Sequence, residues 1–362
     1  MKVLHLTNHY PPALGGIEAH VANLAIRQAA RGDDVTVLTS TPPTADGHRA
    51  DDTGDVRVRR AASLLDGLDF DFGAFDLVHA HLSVVAPFAA PLAAVAARRG
   101  VPTIVTVHSL WNGLGPIPGL AVELAGLRRA PVTWTAVSRV AAAQVRAQLP
   151  RATPVGVLPN AVSVAPRGHT PPTDGGPVRL VSTMRIARRK RPLTLLRMVR
   201  ALALDLRLPV RLTVIGDGPL RRRFEQAAGR TGLRDFVSVT GRVEASEVYG
   251  LLSRADVYVA PALLESFGLA ALEARCVGLP VVGHAESGMT DFLRDGVEGA
   301  LCRSDVEMTQ RLAELVVDGP LRRQISEHNR SVPSPMTWAN TMTAHDAAYQ
   351  RVASTVLEGV DR

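Results

Sequence analysis

Short runs of β-branched and aliphatic residues alternate along this chain with stretches of helical periodicity. Residues 3–7, 35–39, 77–80, 103–107 and 133–137 read as strands, and 18–31 and 138–149 as helices among them. Strands return at 178–183, 211–215, 237–240, 257–260 and 280–283, and helices fit 191–203, 219–231 and 245–253. Strand followed by helix, repeated in two halves, is the rhythm of doubly wound parallel sheets. Between the halves, residues 159–177 are dense in proline and glycine and break both periodicities. The boundaries expected are 1–162 for the first domain, 163–177 for a linker and 178–335 for the second domain. The tail, 336–362, has apolar residues at helical spacing over 338–352. Trp338 and Tyr349 read there as packing anchors without chemistry.

No G-x-G-x-x-G follows the first strand, which argues against an ordinary dinucleotide dehydrogenase. Ligands of open α/β sheets bind beyond the carboxyl ends of the strands, so the cleft between two such domains is the expected site.

Composition narrows the function. The 362 residues are 46% apolar, enough for two cored domains. A net charge of +7 suits acidic ligands such as nucleotides, phosphates or anionic lipid. Aromatics at 4% leave no aromatic-studded basic stripe, so nucleic acid is not an expected partner. Cys276 and Cys302 are too few for a disulfide framework or a structural zinc site, which favours a reducing cytoplasm. The first residues read as a strand, not a signal peptide. The longest apolar run, 82–97, contains Pro87 and Pro91 and is shorter than a membrane span. A cytoplasmic monomer or homodimer is expected, with weak peripheral contact at the inner membrane face as a further expectation.

The richest stretch is Glu265-Ser266-Phe267-Gly268-Leu269-Ala270-Ala271-Leu272-Glu273, ended by Gly278 and Pro280. It predicts a helix over 267–277 with Ser266 as N-cap. The first N–H groups, at Phe267, Gly268 and Leu269, would form an anion site beside Glu265, with Glu273 about two turns further on. In isolation, an E-x7-E spacing is more often a solvated helix face. Gly15-Gly16 after the first strand reads either as an anion-friendly nest or as an ordinary strand-to-helix turn. Arg185 and Lys190, five apart after the strand at 178–183, are able to reach a diphosphate; solvation is the bland alternative. Arg188, Arg189 and Arg191 are either solvated or available to an anionic acceptor. Gly216-Asp217-Gly218-Pro219 lets a backbone approach a base or phosphate. His108 ends a strand; His9, His79 and His81 follow or end neighbouring ones. Ser138 reads as a helix cap.

The E-x7-E stretch resembles the signature of retaining nucleotide-sugar glycosyltransferases of the GT-B fold, specifically glycosyltransferase family 4. The Gly-Gly loop, the strand-end His108, the hinge Pro159-Asn160-Ala161-Val162, R-x4-K, G-x-G-P and the terminal helix follow in the family's order. Departures are Met184 for a glycine, Ala161 for a glycine, and Ser287 and Asp291 in the loop usually written G-G-x-x-E. The resemblance implies two Rossmann-like domains facing across a cleft, with the terminal helix crossing back to the first. It implies a UDP- or GDP-sugar donor bound by Gly15, Gly16, Gly216, Ser266, Phe267, Gly268, Leu269 and Glu273, with Glu273 on the ribose. Glu265 would grip the donor sugar, Arg185 and Lys190 the diphosphate, and His108 the transferred sugar. Asn8, His9 and His81 are the acceptor-side candidates. No metal and no cofactor are expected. The expected acceptor is a small polar hydroxyl compound: an aminocyclitol, inositol phosphate or saccharide. A lipid-linked acceptor, favoured by the apolar stretch 110–127, and a nucleotide-sugar 2-epimerase are the alternatives.

Overall fold

The computed structural model describes residues 1–13, 15–43, 55–111, 113–163 and 176–360. Leu14 and most of the expected linker, residues 164–175, lie outside the described residues. The chain forms two compact units, Met1–Ala161 with Trp338–Arg362, and Val162–Thr337.

The first unit holds seven strands: β1 (Lys2–Thr7), β2 (Asp34–Thr39), β3 (Val56–Arg60), β4 (Leu77–Leu82), β5 (Thr103–Val107), β6 (Thr133–Ala136) and β7 (Val155–Val157). They are ordered β3-β2-β1-β4-β5-β6-β7, with every pairing parallel. β4 is buried along its whole length, as a central strand with both faces covered must be. The second unit holds six: β8 (Val178–Thr183), β9 (Val210–Ile215), β10 (Val237–Gly241), β11 (Val257–Val259), β12 (Val281–His284) and β13 (Gly299–Cys302). Their order is β10-β9-β8-β11-β12-β13, again all parallel.

Each sheet therefore reverses its strand order once. The reversal lies between β1 and β4 in the first unit and between β8 and β11 in the second. At such a switch point the loops leaving two neighbouring strands diverge to opposite faces and open a crevice. The loops after β1, β4, β8 and β11 are thereby singled out.

Three strands escape the sequence pattern. Val56–Arg60 carries three arginines and sits at a sheet edge, where charge is tolerated. Val155–Val157 is an edge strand of three residues. Gly299–Cys302 has no β-branched residue.

The terminal helix, Trp338–Val360, belongs to the first unit. Its Ala348, Tyr349 and Val352 pack on Val3, Leu77, Ile104 and Leu158, while Trp338 and Met342 meet Leu24 and Ala161. The second unit has its own core around Leu180, Val199, Leu212, Val214 and Phe224.

Candidate functional site

In the second unit, the loops after β8 and β11 carry the predicted donor residues, one loop on each side of the switch point. Lys190 closes a one-turn 3-10 helix, Arg188–Lys190, and its Nζ donates to Glu265 Oε2 at 2.5 Å. Lysine and glutamate are 37% and 19% exposed, so the pair sits in a shielded but open position. Arg185 is exposed, and its side chain makes no hydrogen bond or ion pair among the described residues. Arg188 and Arg189 are also exposed. Arg191 is not solvated: its guanidinium makes a two-pronged bond to Asp305, at 2.8 and 2.6 Å, and also donates to the Pro261 carbonyl at 3.0 Å. It anchors the loop rather than offering charge to a ligand.

The helix beyond Glu265 differs from expectation at its start. It runs Leu269–Val277, and its N-cap is Gly268 rather than Ser266. Gly268 adopts φ 96°, a left-handed conformation that a side chain would strain, and an added Cβ would come within 2.7 Å of Met289 Cγ. Ser266 instead packs against Gly288, where an added Cβ would lie 2.0 Å from the Ser266 carbonyl oxygen, and Gly288 N–H donates to Glu265 O at 2.8 Å. The Ser287–Met289 turn thus packs against the Glu265 loop. The helix-terminal donors lacking an acceptor in the preceding turn begin at Leu269, two residues later than the sequence suggested.

Glu273 is half-buried in this helix, with Tyr249 Oη at a long 3.5 Å from Oε1. Burial pushes its carboxyl up to about 7, against the opposing Tyr249 contact. Gly216 and Gly218 have a structural role as well as the one expected. A Cβ on Gly216, at φ 131°, would strike the Met184 carbonyl, and one on Gly218 would lie 2.6 Å from the Ile186 carbonyl. Met184 N–H donates to Ile215 O and Ile186 N–H to Asp217 O, both at 2.9 Å. The two glycines let one loop lie flush against the loop that carries Arg185 and Lys190.

In the first unit, Gly15 caps the helix Gly16–Ala29, and Glu18 folds back so that its carboxylate occupies the space beside Gly15. Asn8 Oδ1 accepts from Ala89 N–H at 3.1 Å, which ties the loop after β1 to the start of another helix. His9 is exposed, with its backbone N–H on Thr7 Oγ1. Ser138 caps Arg139–Gln148 through Ala141 N–H, as its position predicted.

His81 and His108 are brought together. His81 Nδ1 lies 3.0 Å from His108 Nε2, and His81 Nε2 lies 3.0 Å from His5 Nδ1. These rings belong to a buried set of six histidines that also includes His20, His79 and His345. Strand register explains the gathering. His5 is opposite His79, Thr7 opposite His81 and His81 opposite Thr106, so alternate residues of adjacent strands share one face. Tyr349 from the terminal helix closes the group, contacting both Gln28 and His79, and Trp338 stacks on His20 with centroids 5.4 Å apart. Tyr349 is therefore more than a packing anchor.

Burial holds every one of these imidazoles below its ordinary value, to about 4 for His5 and His345 and about 3 for His108. Burial is also the main cause of the lowering at His20, His79 and His81, with neighbouring histidines adding to it. Among the described residues, His5, His79 and His81 form the one grouping whose ligand atoms, within 4.8 Å of one another, are close enough for a metal ion. His5 and His79 are bonded at both nitrogens to other groups, so binding a metal would first break this network.

Comparison with known proteins adds the family. Residues 14–166 match the family described as Glycosyltransferase Family 4, and residues 170–332 match Glycosyl transferases group 1. A D-inositol 3-phosphate glycosyltransferase of Stackebrandtia nassauensis is 30% identical over 78% of this chain and 70% of its own. A 2-deoxystreptamine glucosyltransferase of Streptomyces kanamyceticus is 30% identical over 68% of this chain and 69% of its own. The structure of Anabaena HepE in complex with UDP and glucose superposes with a TM-score of 0.72 at 18% identity, covering 100% of this chain and 99% of the other. Two parallel-sheet units, matched in turn by these two families, make this chain a glycosyltransferase of family 4 with the GT-B fold.

Proposed function

We propose that the protein transfers a sugar from a nucleoside-diphosphate sugar to a hydroxyl of a small polar acceptor, with retention of anomeric configuration. The observation that carries this reading is the Lys190–Glu265 pair across the second unit's switch point, beside the exposed Arg185 and a helix N-terminus. Cations next to a helix N-terminus suit a diphosphate. A glutamate in the same place suits sugar hydroxyls. Glu273 takes the ribose hydroxyls. Arg185 and Lys190 stabilise charge on the departing diphosphate, so no resident metal or cofactor is needed for that step.

In the reaction, the bond from the anomeric carbon to the diphosphate oxygen breaks. A bond from the acceptor oxygen to that carbon forms, and the acceptor's proton passes to the departing phosphate oxygen. His108 contacts the transferred sugar. The acceptor class is drawn from relatives named for an inositol phosphate and for the aminocyclitol 2-deoxystreptamine. UDP is the first donor to try, since the HepE structure contains it.

The experiment is a panel of nucleotide sugars scored by nucleoside diphosphate release, with and without an aminocyclitol, inositol phosphate or saccharide. Acceptor-dependent release with an axial–axial or equatorial–equatorial match of anomers, read by NMR, is the expected result. Conversion of donor alone to its 2-epimer would replace this reading with the epimerase. A second reading, a lipid-linked acceptor, is favoured by Ile117, Leu120 and Leu124. These are 60%, 58% and 79% exposed on the helix Ile117–Leu124, an apolar face of the kind that lies on membranes. Co-sedimentation with anionic vesicles separates the two.

A further inference from the structure

Eight buried side chains of the first unit form one continuous chain of hydrogen bonds, and its direction is fixed at one end. The Val105 carbonyl is only an acceptor, so the Thr135 hydroxyl, 3.2 Å away, donates to it. With that hydrogen spent, Thr135 Oγ1 accepts from the Thr106 hydroxyl at 2.6 Å. Thr106 Oγ1 then accepts from His79 Nε2–H at 2.6 Å. Neutral His79 has one N–H, so its Nδ1 accepts from the Tyr349 hydroxyl at 2.8 Å. The Tyr349 oxygen in turn accepts from Gln28 Nε2–H at 3.1 Å.

Gln28 is the turning point. Its amide nitrogen is committed to Tyr349, so its oxygen faces His5 and accepts from His5 Nε2–H at 2.6 Å. His5 Nδ1 is left as an acceptor for His81 Nε2–H, and His81 Nδ1 as an acceptor for His108 Nε2–H, each at 3.0 Å. Each ring is neutral because burial disfavours its charged form, so each carries one proton and passes the constraint on.

We propose that Gln28 is a positioning residue that, through His5 and His81, holds His108 as the Nε2–H tautomer with Nδ1 as the ring's acceptor. Its consequence for turnover rests on the transferase reading above; the tautomer itself does not. In this state His108 has no proton to give from Nδ1, so it does not act there as an acid.

Two-bond 15N–1H NMR of the histidine rings reads the tautomer directly, with His108 assigned from the signal lost in His108→Gln. The wild-type protein is expected to show His108 as a single neutral Nε2–H species. Nδ1–H at His108 in the wild type overturns the proposal without any variant. Gln28→Met removes the turning point and is expected to give mixed tautomers at His108. In that variant kcat falls in proportion to the wrongly protonated fraction, about twofold for an even mixture, while the donor KM stays near wild type. Adding His81→Asn to Gln28→Met places an amide oxygen close to the lost Nδ1, where it accepts from His108 Nε2–H without the relay. A single Nε2–H tautomer then returns. An unchanged tautomer in folded Gln28→Met, or no recovery in the folded double variant, overturns the assignment. If the wild type shows the Nε2–H tautomer yet no donor yields transfer, the relay stands and the transferase reading falls.

Discussion

The two units have the same architecture and set different polar groups upon it. Both are parallel sheets with one switch point. In the first, the buried polar groups are neutral: six imidazoles with hydroxyls and the amides of Gln28 and Asn160. In the second, partly exposed ion pairs stand out: Lys190 with Glu265, Arg191 with Asp305, Arg179 with Asp256, and Arg294 with Glu298. A neutral hydrogen-bonded network fixes direction and orientation at little electrostatic cost, because no charge is desolvated. An ionic network supplies field where charge develops. The difference teaches that a single fold, used twice, can carry either kind of polar group.

The sharpest way to break that comparison is to remove charge from the second unit. Lys190→Ala is expected to lower kcat by about 10²- to 10³-fold, the loss typical of one charge-stabilising donor. Steady-state kinetics with saturating donor measures it. Turnover within a few fold of wild type would mean the ion pair is structural.

Acid should separate the units next. A histidine whose folded value lies below its unfolded one binds its proton more readily when unfolded. Stability is therefore lost as pH falls below the unfolded value near 6.5, until the folded value is reached. For His5, held at about 4, this amounts to about 3 kcal/mol. In the second unit, burial alone would raise the Glu298 carboxyl, but bonds from Arg294 and His328 outweigh it and hold it at about 2. Its contribution is present above its unfolded value and fades only as pH falls toward 2. All three tryptophans, Trp111, Trp134 and Trp338, belong to the first unit. Between pH 6.5 and 4 their emission is expected to shift before half the far-UV ellipticity is lost. Coincident transitions would show that the two units do not differ in this way.

A smaller cut tests the neutral network itself. Tyr349→Phe keeps the ring on Val3 and Ile104 but deletes the hydroxyl between Gln28 and His79, leaving buried partners unmatched. The expected cost is about 1–3 kcal/mol, seen as an earlier urea transition in tryptophan emission. A transition unmoved by the change would leave the hydroxyl without a structural role.

The sequence pattern carried the architecture because both halves bury their sheets, which forces apolar runs at strand positions and amphipathic ones at helices. It placed Glu265, Arg185 and Lys190 on loops after strands because each lies just beyond an apolar strand run. It missed where the helix after Glu265 begins, since that depends on Gly288 packing against Ser266, 22 residues away in the chain. Nor did it show that Gly216 and Gly218 also lack side chains because Met184 and Ile186 press against them. Gln28, His5 and Tyr349 were invisible as a group because β1, the first helix and the terminal helix meet only through long-range register. The period-two placing of His5 opposite His79 was the one local hint.

The smallest effect concerns the exception in the ionic unit. Glu273 has no cation among its described partners; it has Tyr249, and burial holds its carboxyl near 7. Such a group is mostly protonated at pH 6 and mostly ionised at pH 8. Two ribose hydroxyls are best accepted by the ionised form, which has no hydrogen in the way. If Glu273 is the ribose grip, nucleoside diphosphate affinity should rise about tenfold between pH 6 and pH 8, following the ionised fraction. The diphosphate also titrates in this range, so the comparison is made against Glu273→Gln by calorimetry in both proteins. The step should vanish in the variant, and affinity at pH 8 should drop to the wild-type value at pH 6. A pH profile shared by both proteins would take Glu273 out of nucleotide binding. The second unit would then meet its ligand through fixed charge alone.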